Sequence, residues 1–283
     1  MYPVIRAKNR KAVLEQKEFT LACGDVVEYL SFPKLAEIEC IEHLFTTRMG
    51  GVSVGDYSTL NFSFIRGDAP ESVLENYRRM GEVFGVDKEC FVTTDQTHTV
   101  NIRVVTKEDA GKGVTVPRDY TDIDGLITNN KGLVLSCFTA DCVPLYFVDT
   151  VKQVIGVAHS GWRGTVAGMG ACMVKCMQEE FGCEPKDIVA AIGPSICQAC
   201  YEISEEVAER FREDFWAQEC VQDFCKEANE NALHPTGILL ADGKAEGKYQ
   251  LDLWLANYVV LRSAGIPAQN IDMTDVCTNC NPA

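Results

Sequence analysis

The sequence predicts a mixed α/β fold built on substantial sheets, and three observations carry that prediction. Between residues 92 and 159 the chain strings together NIRVV, GLIT, LVLSCF, VPLYFV and QVIGVAH, several of them continuously apolar, as strands covered on both faces are. Helical runs stand before and after this block, so strands and helices share one architecture. Glycine-bearing stretches fall between elements as turns, with no linker or repeat, so residues 1–283 are expected to form a single domain.

Taken in order, EFTLACG, VVEYLSF and CIEHLFTTR lean toward strand, with turn residues between them. The run RMGGVSVGDY at 48–57 reads as a glycine-bearing loop. Pro70 opens a helix on which Val73, Leu74, Tyr77, Met80, Val83 and Phe84 keep helical spacing. After the strand block and SGWRG, residues 165–181 read as one helix. Met169, Met173 and Met177 recur on it every four residues, a core-packing pattern rather than a metal box. DIVAAIG is a further strand, and Ser204 is an N-cap with acids behind it. Residues 252–264 form the last helix, stopped by Gly265 and Pro267.

Composition narrows the function. Hydrophobic residues at 46% and charged residues at 24% are ordinary for a globular chain. No run approaches the roughly 18 apolar residues of a membrane span, and MYPVIRAKNRKAVLEQ lacks the apolar core of an export signal. A cytoplasmic protein is therefore expected, with its 14 cysteines mostly reduced. A net charge of −15 opposes nucleic-acid backbones and anionic lipid, which leaves small molecules as partners. Heptads are lacking, so a monomer is expected. Phosphate on a substrate has to be met locally, with Arg48 and Arg163 as the candidates.

Of four histidines, two sit in unusual settings: His98 in DQTHTV, and His159 in GVAHSGWRG at the end of an apolar strand. Cys142, in FTADCVPLYF, lies between them. Two imidazoles and a thiolate, with water in the fourth position, suit a tetrahedral zinc of the catalytic type. Spacing alone does not bring such separated residues together, and a core cysteine with two satisfied histidines is the alternative. The CxxC pairs Cys197/Cys200 and Cys277/Cys280 allow a four-cysteine zinc site. The gap between them far exceeds the roughly 15–20 residues of the familiar ribbon, so reduced structural thiols are expected instead. Arg163 begins a helix after a strand end, where backbone N–H groups favour anions; a surface ion pair is the commoner fate of such an arginine, as of Arg48. Trp162 either stacks on a base or caps the core.

TTRMGGVS (from Thr46) with LNFS, then DQTHTV, TADCVPLYFVD, VAHSGWRGT, IGPSICQACYEIS and LDLWLANYVVLRSAGI together resemble the YfiH-like laccase-domain family, in the family's order and over most of the chain. The resemblance implies a layered α/β/β/α sandwich with mixed sheets, and metal ligands His98, Cys142 and His159. Arg48, Cys142 and His159 are then the expected catalytic residues, and Arg48, Asn61, Trp162 and Arg163 the expected contacts to substrate and phosphate. The implied activity is zinc-dependent phosphorolysis of adenosine, inosine, guanosine and S-methyl-5'-thioadenosine, with adenosine deamination beside it. Two departures stand out. Thr99 replaces the glycine that usually follows the first ligand histidine, which is expected to narrow the pocket mouth or change backbone freedom. The chain ends at CTNCNPA, before the family's aromatic-and-arginine tail, so a truncated form lacking that tail's contribution is expected.

Three other readings stay open. A copper-dependent, laccase-like polyphenol oxidase fits two histidines and a cysteine, but only His43 and His234 remain for a further copper cluster. A thiol nucleophile Cys142 with His159 as base suits an amidase-type hydrolase in peptidoglycan precursor editing. A metal-binding interaction protein follows if a fourth protein ligand closes the site.

Overall fold

The computed structural model describes residues 4–7, 12–215, 220–231, 237 and 239–281. The β-leaning N-terminal runs form an antiparallel sheet of β1 (Glu15–Thr20), β2 (Val26–Ser31) and β3 (Phe45–Thr46), with the short helix α1 (Pro33–Ala36) between the last two. The loop at 48–68 leads into α2 (Pro70–Phe84), which begins on its proline as the spacing predicts. A small parallel pair, β4 (Phe91–Thr93) with β7 (Val134–Ser136), flanks the main sheet.

That main sheet takes in β5 (Ile102–Val104), β6 (Gly125–Thr128), β8 (Val143–Asp149), β9 (Val154–Ser160), β10 (Ile188–Ile192) and β14 (Ile271–Met273). Its spatial order is β14-β10-β8-β9-β6-β5, with parallel pairs at both edges and antiparallel pairs between. The predicted helix at 165–181 is instead two, α3 (Trp162–Val166) and α4 (Met169–Phe181). The break falls at Gly168, whose φ of 78° lies in the left-handed region that a Cβ disfavours. The rest of the chain supplies α5 (Glu205–Arg210), α6 (Cys220–Glu230), a small sheet of β11 (Glu202–Ser204), β12 (Leu240–Asp242) and β13 (Lys248–Leu251), and α7 (Leu253–Ser263). The Asp252 carboxylate caps α7 by accepting from the Leu255 N–H at 2.8 Å.

Side-chain alternation along the strands sorts these elements into layers. Val143, Leu145 and Phe147 of β8 pack with Met169, Met173 and Met177 of α4 and with the buried face of α7. Tyr146 and Val148 of the same strand face the opposite way, onto Leu30 of β2 and Phe32. Val27 of β2 points onward again, to Val73, Tyr77 and Met80 of α2. Helices α4 and α7, the mixed six-stranded sheet, the antiparallel β1–β3 sheet and α2 therefore stack as the expected α/β/β/α arrangement. Among the described residues, no helix is long and apolar enough to cross a membrane.

The turn after β5 is tied by Asp109. Its carboxylate accepts from Arg103 at 2.7 Å, from Lys112 at 2.8 Å and from the Thr106 N–H at 2.8 Å. Burial alone would raise its pKa, but these donors outweigh burial and hold the carboxyl below the usual range. A depressed folded-state pKa contributes stability above the ordinary carboxylate pKa of about 4 and loses it as pH falls further. Asp109→Asn is thus expected to cost about 2 kcal/mol near neutrality and much less at acid pH. Denaturant unfolding of both proteins at the two pH values checks this; an equal difference at both refutes it.

Candidate metal centre

The register of the β8–β9 hairpin begins the site. Val143 pairs with Ser160 and Pro144 with His159, so Cys142, one residue before β8, arrives beside His159 near the end of β9. On the other side of β9, Gly125 pairs with Ala158, which places Asp124 at the same sheet end. β5 runs parallel to β6 with Ile102 opposite Gly125, and the loop just before β5 carries His98. Residues scattered over the sequence thus meet at one end of four neighbouring strands.

There the donor atoms of His98, Cys142 and His159 lie within 4.8 Å of one another. His98 Nε2 stands 4.0 Å from Cys142 Sγ, and the two imidazole rings meet edge to face with centroids 4.9 Å apart. Metal–ligand bonds of about 2.0–2.3 Å from one centre put neighbouring donors roughly 3.5 Å apart, so a small inward movement seats a cation. The set holds three protein donors among the described residues, leaving a fourth tetrahedral direction for substrate or water. Two nitrogens and one thiolate fit zinc, and they also fit copper.

Asp124, which no motif in the sequence singled out, organises this centre. Its side chain is fully buried, and Oδ1 accepts from His159 Nδ1 at 2.8 Å, which turns Nε2 toward the other two donors. The same carboxylate accepts from the consecutive N–H groups of Thr97, His98 and Thr99 at 3.0–3.1 Å, a backbone nest around an anion. This nest holds His98 at a φ of 67°, in the left-handed region that costs a residue with a Cβ roughly 1 kcal/mol. Burial would raise the Asp124 pKa, but His159 and these donors hold it down at about 2. His159 responds in the opposite sense: burial lowers it, yet Asp124 and Cys142 push it up to about 9. His98 is lowered, first by burial and then by the charge of His159.

Thr99, the departure expected to narrow the mouth, turns its hydroxyl back to Asp124 at 3.0 Å and so becomes part of the support. Gly161 lies so close that a Cβ there would stand 2.8 Å from Cys142 Sγ and 3.1 Å from a carbon of the His98 ring. Gly161→Ala is therefore expected to force the ligands apart and weaken metal binding by about 10-fold or more with the fold intact, by analogy with other losses of ligand orientation. Chelator competition read beside the circular dichroism spectrum checks this; unchanged affinity refutes it.

Trp162 and Arg163 continue directly from Gly161, and the Arg163 guanidinium stacks 4.2 Å over the Trp162 ring. The turn is anchored from behind. Ser160 Oγ donates to Asn257 Oδ1 of α7 at 2.8 Å, and Asn257 Nδ2 donates to Thr165 Oγ1 at 3.1 Å, all of it buried. Tyr201 joins the surroundings: burial first, then the charge of Cys142, pushes it up to about 12, while Arg163 pulls it down.

Arg48 and Asn61 belong to another element, the 48–68 loop, and their hydrogen bonds run within it and to α2. Arg48 is exposed and donates to the carbonyls of Ser58 and Asp56 at 3.2 and 3.0 Å. Asn61 Nδ2 donates to Asp68 Oδ2 at 2.9 Å, and its carbonyl accepts from Asn76. His43 is engaged elsewhere, accepting from the Phe32 N–H at 2.9 Å, with burial lowering its pKa to about 4. His234 lies outside the described residues. A finding against expectation is that Cys197, Cys200, Cys277 and Cys280 also come together, with their sulfurs within 4.8 Å of one another.

A family profile described as multi-copper polyphenol oxidoreductase laccase matches residues 42–283. The purine nucleoside phosphorylase YlmD of Bacillus subtilis is 37% identical over 243 residues, covering 84% of this chain and 80% of its own length. The adenosine deaminase RL5, from an unknown prokaryotic organism, is 32% identical over 90% of this chain and 89% of itself. The crystal structure of YlmD from Geobacillus stearothermophilus superposes with a TM-score of 0.77 at 31% identity, covering 96% of this chain and 91% of that one. By the extent of the profile match and the identity of these relatives, the chain belongs to the YfiH-like laccase-domain family.

Proposed function

We propose that this protein is a zinc-dependent purine nucleoside phosphorylase acting on adenosine, inosine, guanosine and S-methyl-5'-thioadenosine, with adenosine deaminase activity beside it. The observation that carries the reading is the three-donor centre with its buried Asp124 support, taken with relatives named for those two activities. Zinc held by His98, Cys142 and His159 supplies Lewis acidity at the open face of the site.

The chain's own residues do the rest. With a metal in place of the second imidazole proton, Asp124 would keep the remaining His159 proton on Nδ1, so that Nε2 presents its lone pair. Trp162, half-buried beside the centre, offers a flat apolar face for a purine, and Arg163 stacked on it brings a positive charge to the same place. Arg48 is the second arginine assigned to phosphate, and Asn61 of the same loop is assigned to the substrate. In phosphorolysis an oxygen of inorganic phosphate bonds to the ribose anomeric carbon as the glycosidic bond breaks. The base leaves with the bonding electrons and takes up a proton, giving ribose 1-phosphate. In deamination, water adds to the purine carbon bearing the amine and ammonia departs.

The test is product analysis on zinc-loaded protein. Adenosine with phosphate is expected to yield adenine and ribose 1-phosphate, inosine to yield hypoxanthine, and adenosine without phosphate to yield inosine. Release of neither a base nor inosine would falsify the assignment. The family profile's description favours one second reading, copper-dependent oxidation of polyphenols. With His43 committed to the Phe32 backbone, that reading predicts oxidation that vanishes when copper is removed.

A further inference from the structure

The two CxxC motifs converge because their strands are neighbours. β10 and β14 pair in parallel, Ala190 opposite Ile271 and Ile192 opposite Met273, so both chains leave the sheet at the same end. They stay together beyond it: the Thr274 N–H donates to the Ile192 carbonyl at 2.9 Å, Ser195 bridges Cys277 in parallel, and the Thr278 N–H donates to the Ser195 carbonyl at 3.1 Å. This pairing sets Cys197 against Cys277 and Cys200 against Cys280, each separated by 80 residues. The distance in sequence that argued against a shared site is therefore closed by one pair of strands.

Four sulfurs around one zinc, each at about 2.3 Å, stand roughly 3.8 Å apart. Here all four lie within 4.8 Å, with Cys200 Sγ and Cys280 Sγ 3.6 Å apart, far from the roughly 2.05 Å of a disulfide. Each motif folds into a tight turn, with the Cys200 N–H on the Cys197 carbonyl at 3.0 Å and the Asn281 N–H on the Cys277 carbonyl at 3.2 Å. The Cys197 N–H points at Cys277 Sγ from 3.2 Å, a donor that favours a thiolate there.

We propose that Cys197, Cys200, Cys277 and Cys280 bind a second zinc ion, in a closed tetrahedral site separate from the three-donor centre. As zinc bonds to the sulfurs, thiol protons pass to solvent, and no oxidant or reductant is involved. With four protein ligands the site has no open direction, so its role is structural. It braces the chain behind the first centre. Asp141, next to the ligand Cys142, accepts from the Ile196 N–H at 3.0 Å through its carbonyl and from Thr278 Oγ1 at 2.9 Å through its carboxylate. Both CxxC loops thus hold the segment that delivers Cys142.

Zinc per chain, measured by native mass spectrometry on full-length protein reloaded with zinc under reducing conditions, tests this. Wild type is expected to carry two ions, and a His98→Ala, Cys142→Ala, His159→Ala variant to keep one. Adding Cys200→Ser and Cys280→Ser, at the two half-buried positions, is expected to remove that one, and Cys200→His, which restores a nitrogen ligand, to return it. A metal-free triple-alanine variant, or zinc retained after the serine substitutions, overturns the proposal. So does an intact mass showing disulfides at these cysteines in reduced protein, a measurement that needs no variant to fold. Because the triple variant lacks the first centre, failure here is distinct from failure of the phosphorylase assignment.

Discussion

Cys142→Ala is expected to lower zinc by one ion per chain and phosphorolysis by about 10³-fold, since an ion acting as a Lewis acid contributes several kcal/mol to a transition state. The physical case is geometric. Cys142 is the only sulfur among the three donors, and it stands at the mouth end of β8, where truncation removes that sulfur and leaves the strand pairing of residues 143–149 in place. Stability should change little, by about 1 kcal/mol. Measuring metal and rate together separates two roles. If Cys142 were a nucleophile with His159 as its base, the variant would lose its rate while keeping its zinc, and an electrophile would label the thiol in metal-loaded wild type. Full activity in metal-free protein would redirect the search to amide substrates.

The second large effect is expected from Asp124→Asn, a change of one atom in a residue that touches no substrate. The carboxylate receives His159 Nδ1, three successive N–H groups and the Thr99 hydroxyl, and an amide has one oxygen with which to replace two. Its NH2 group would face donors already aimed inward. Loss of ligand support of this kind typically weakens metal affinity 10–100-fold. Leaving several buried donors without an acceptor should cost about 3 kcal/mol as well. Zinc titration and denaturant unfolding check the two consequences separately. Unchanged affinity would mean that His159 is held by packing alone, and unchanged stability would mean that the 97–99 backbone finds other acceptors.

What the sequence made legible follows from local rules. The helix from Pro70 and the strands of the block at 125–160 were readable because burial there leaves a periodic trace, and the methionines of α4 fall in the core as their spacing indicated. The small strands β4, β11, β12, β13 and β14 had no such trace, since three or four residues leave little periodic signal, whereas the amphipathic spacing of α6 was there to be read. The meeting of His98, Cys142 and His159 was implied by the family resemblance alone. The spacing of His98, Cys142 and His159 says nothing of a meeting that depends on strand order. Asp124 went unread for a related reason, since an acid before a strand is usually a turn residue, and only the pairing of β6 with β9 buries this one beneath a histidine. The cysteine cluster leaves no mark in the spacing of its motifs, because the 80 residues between them are closed by the parallel pair of β10 and β14.

The β8–β9 hairpin also divides the molecule into a part that must be conserved in length and a part that need not be. Seven residue pairs separate the end bearing Cys142 and His159 from the turn at 150–153, about 23 Å away along the strands. One residue inserted within either strand would carry its ligand to the opposite face of the sheet. One inserted in the turn would add to a surface bend and leave every pair in register. An epitope or a fluorophore spliced into that turn is accordingly expected to leave the distant metal centre in register.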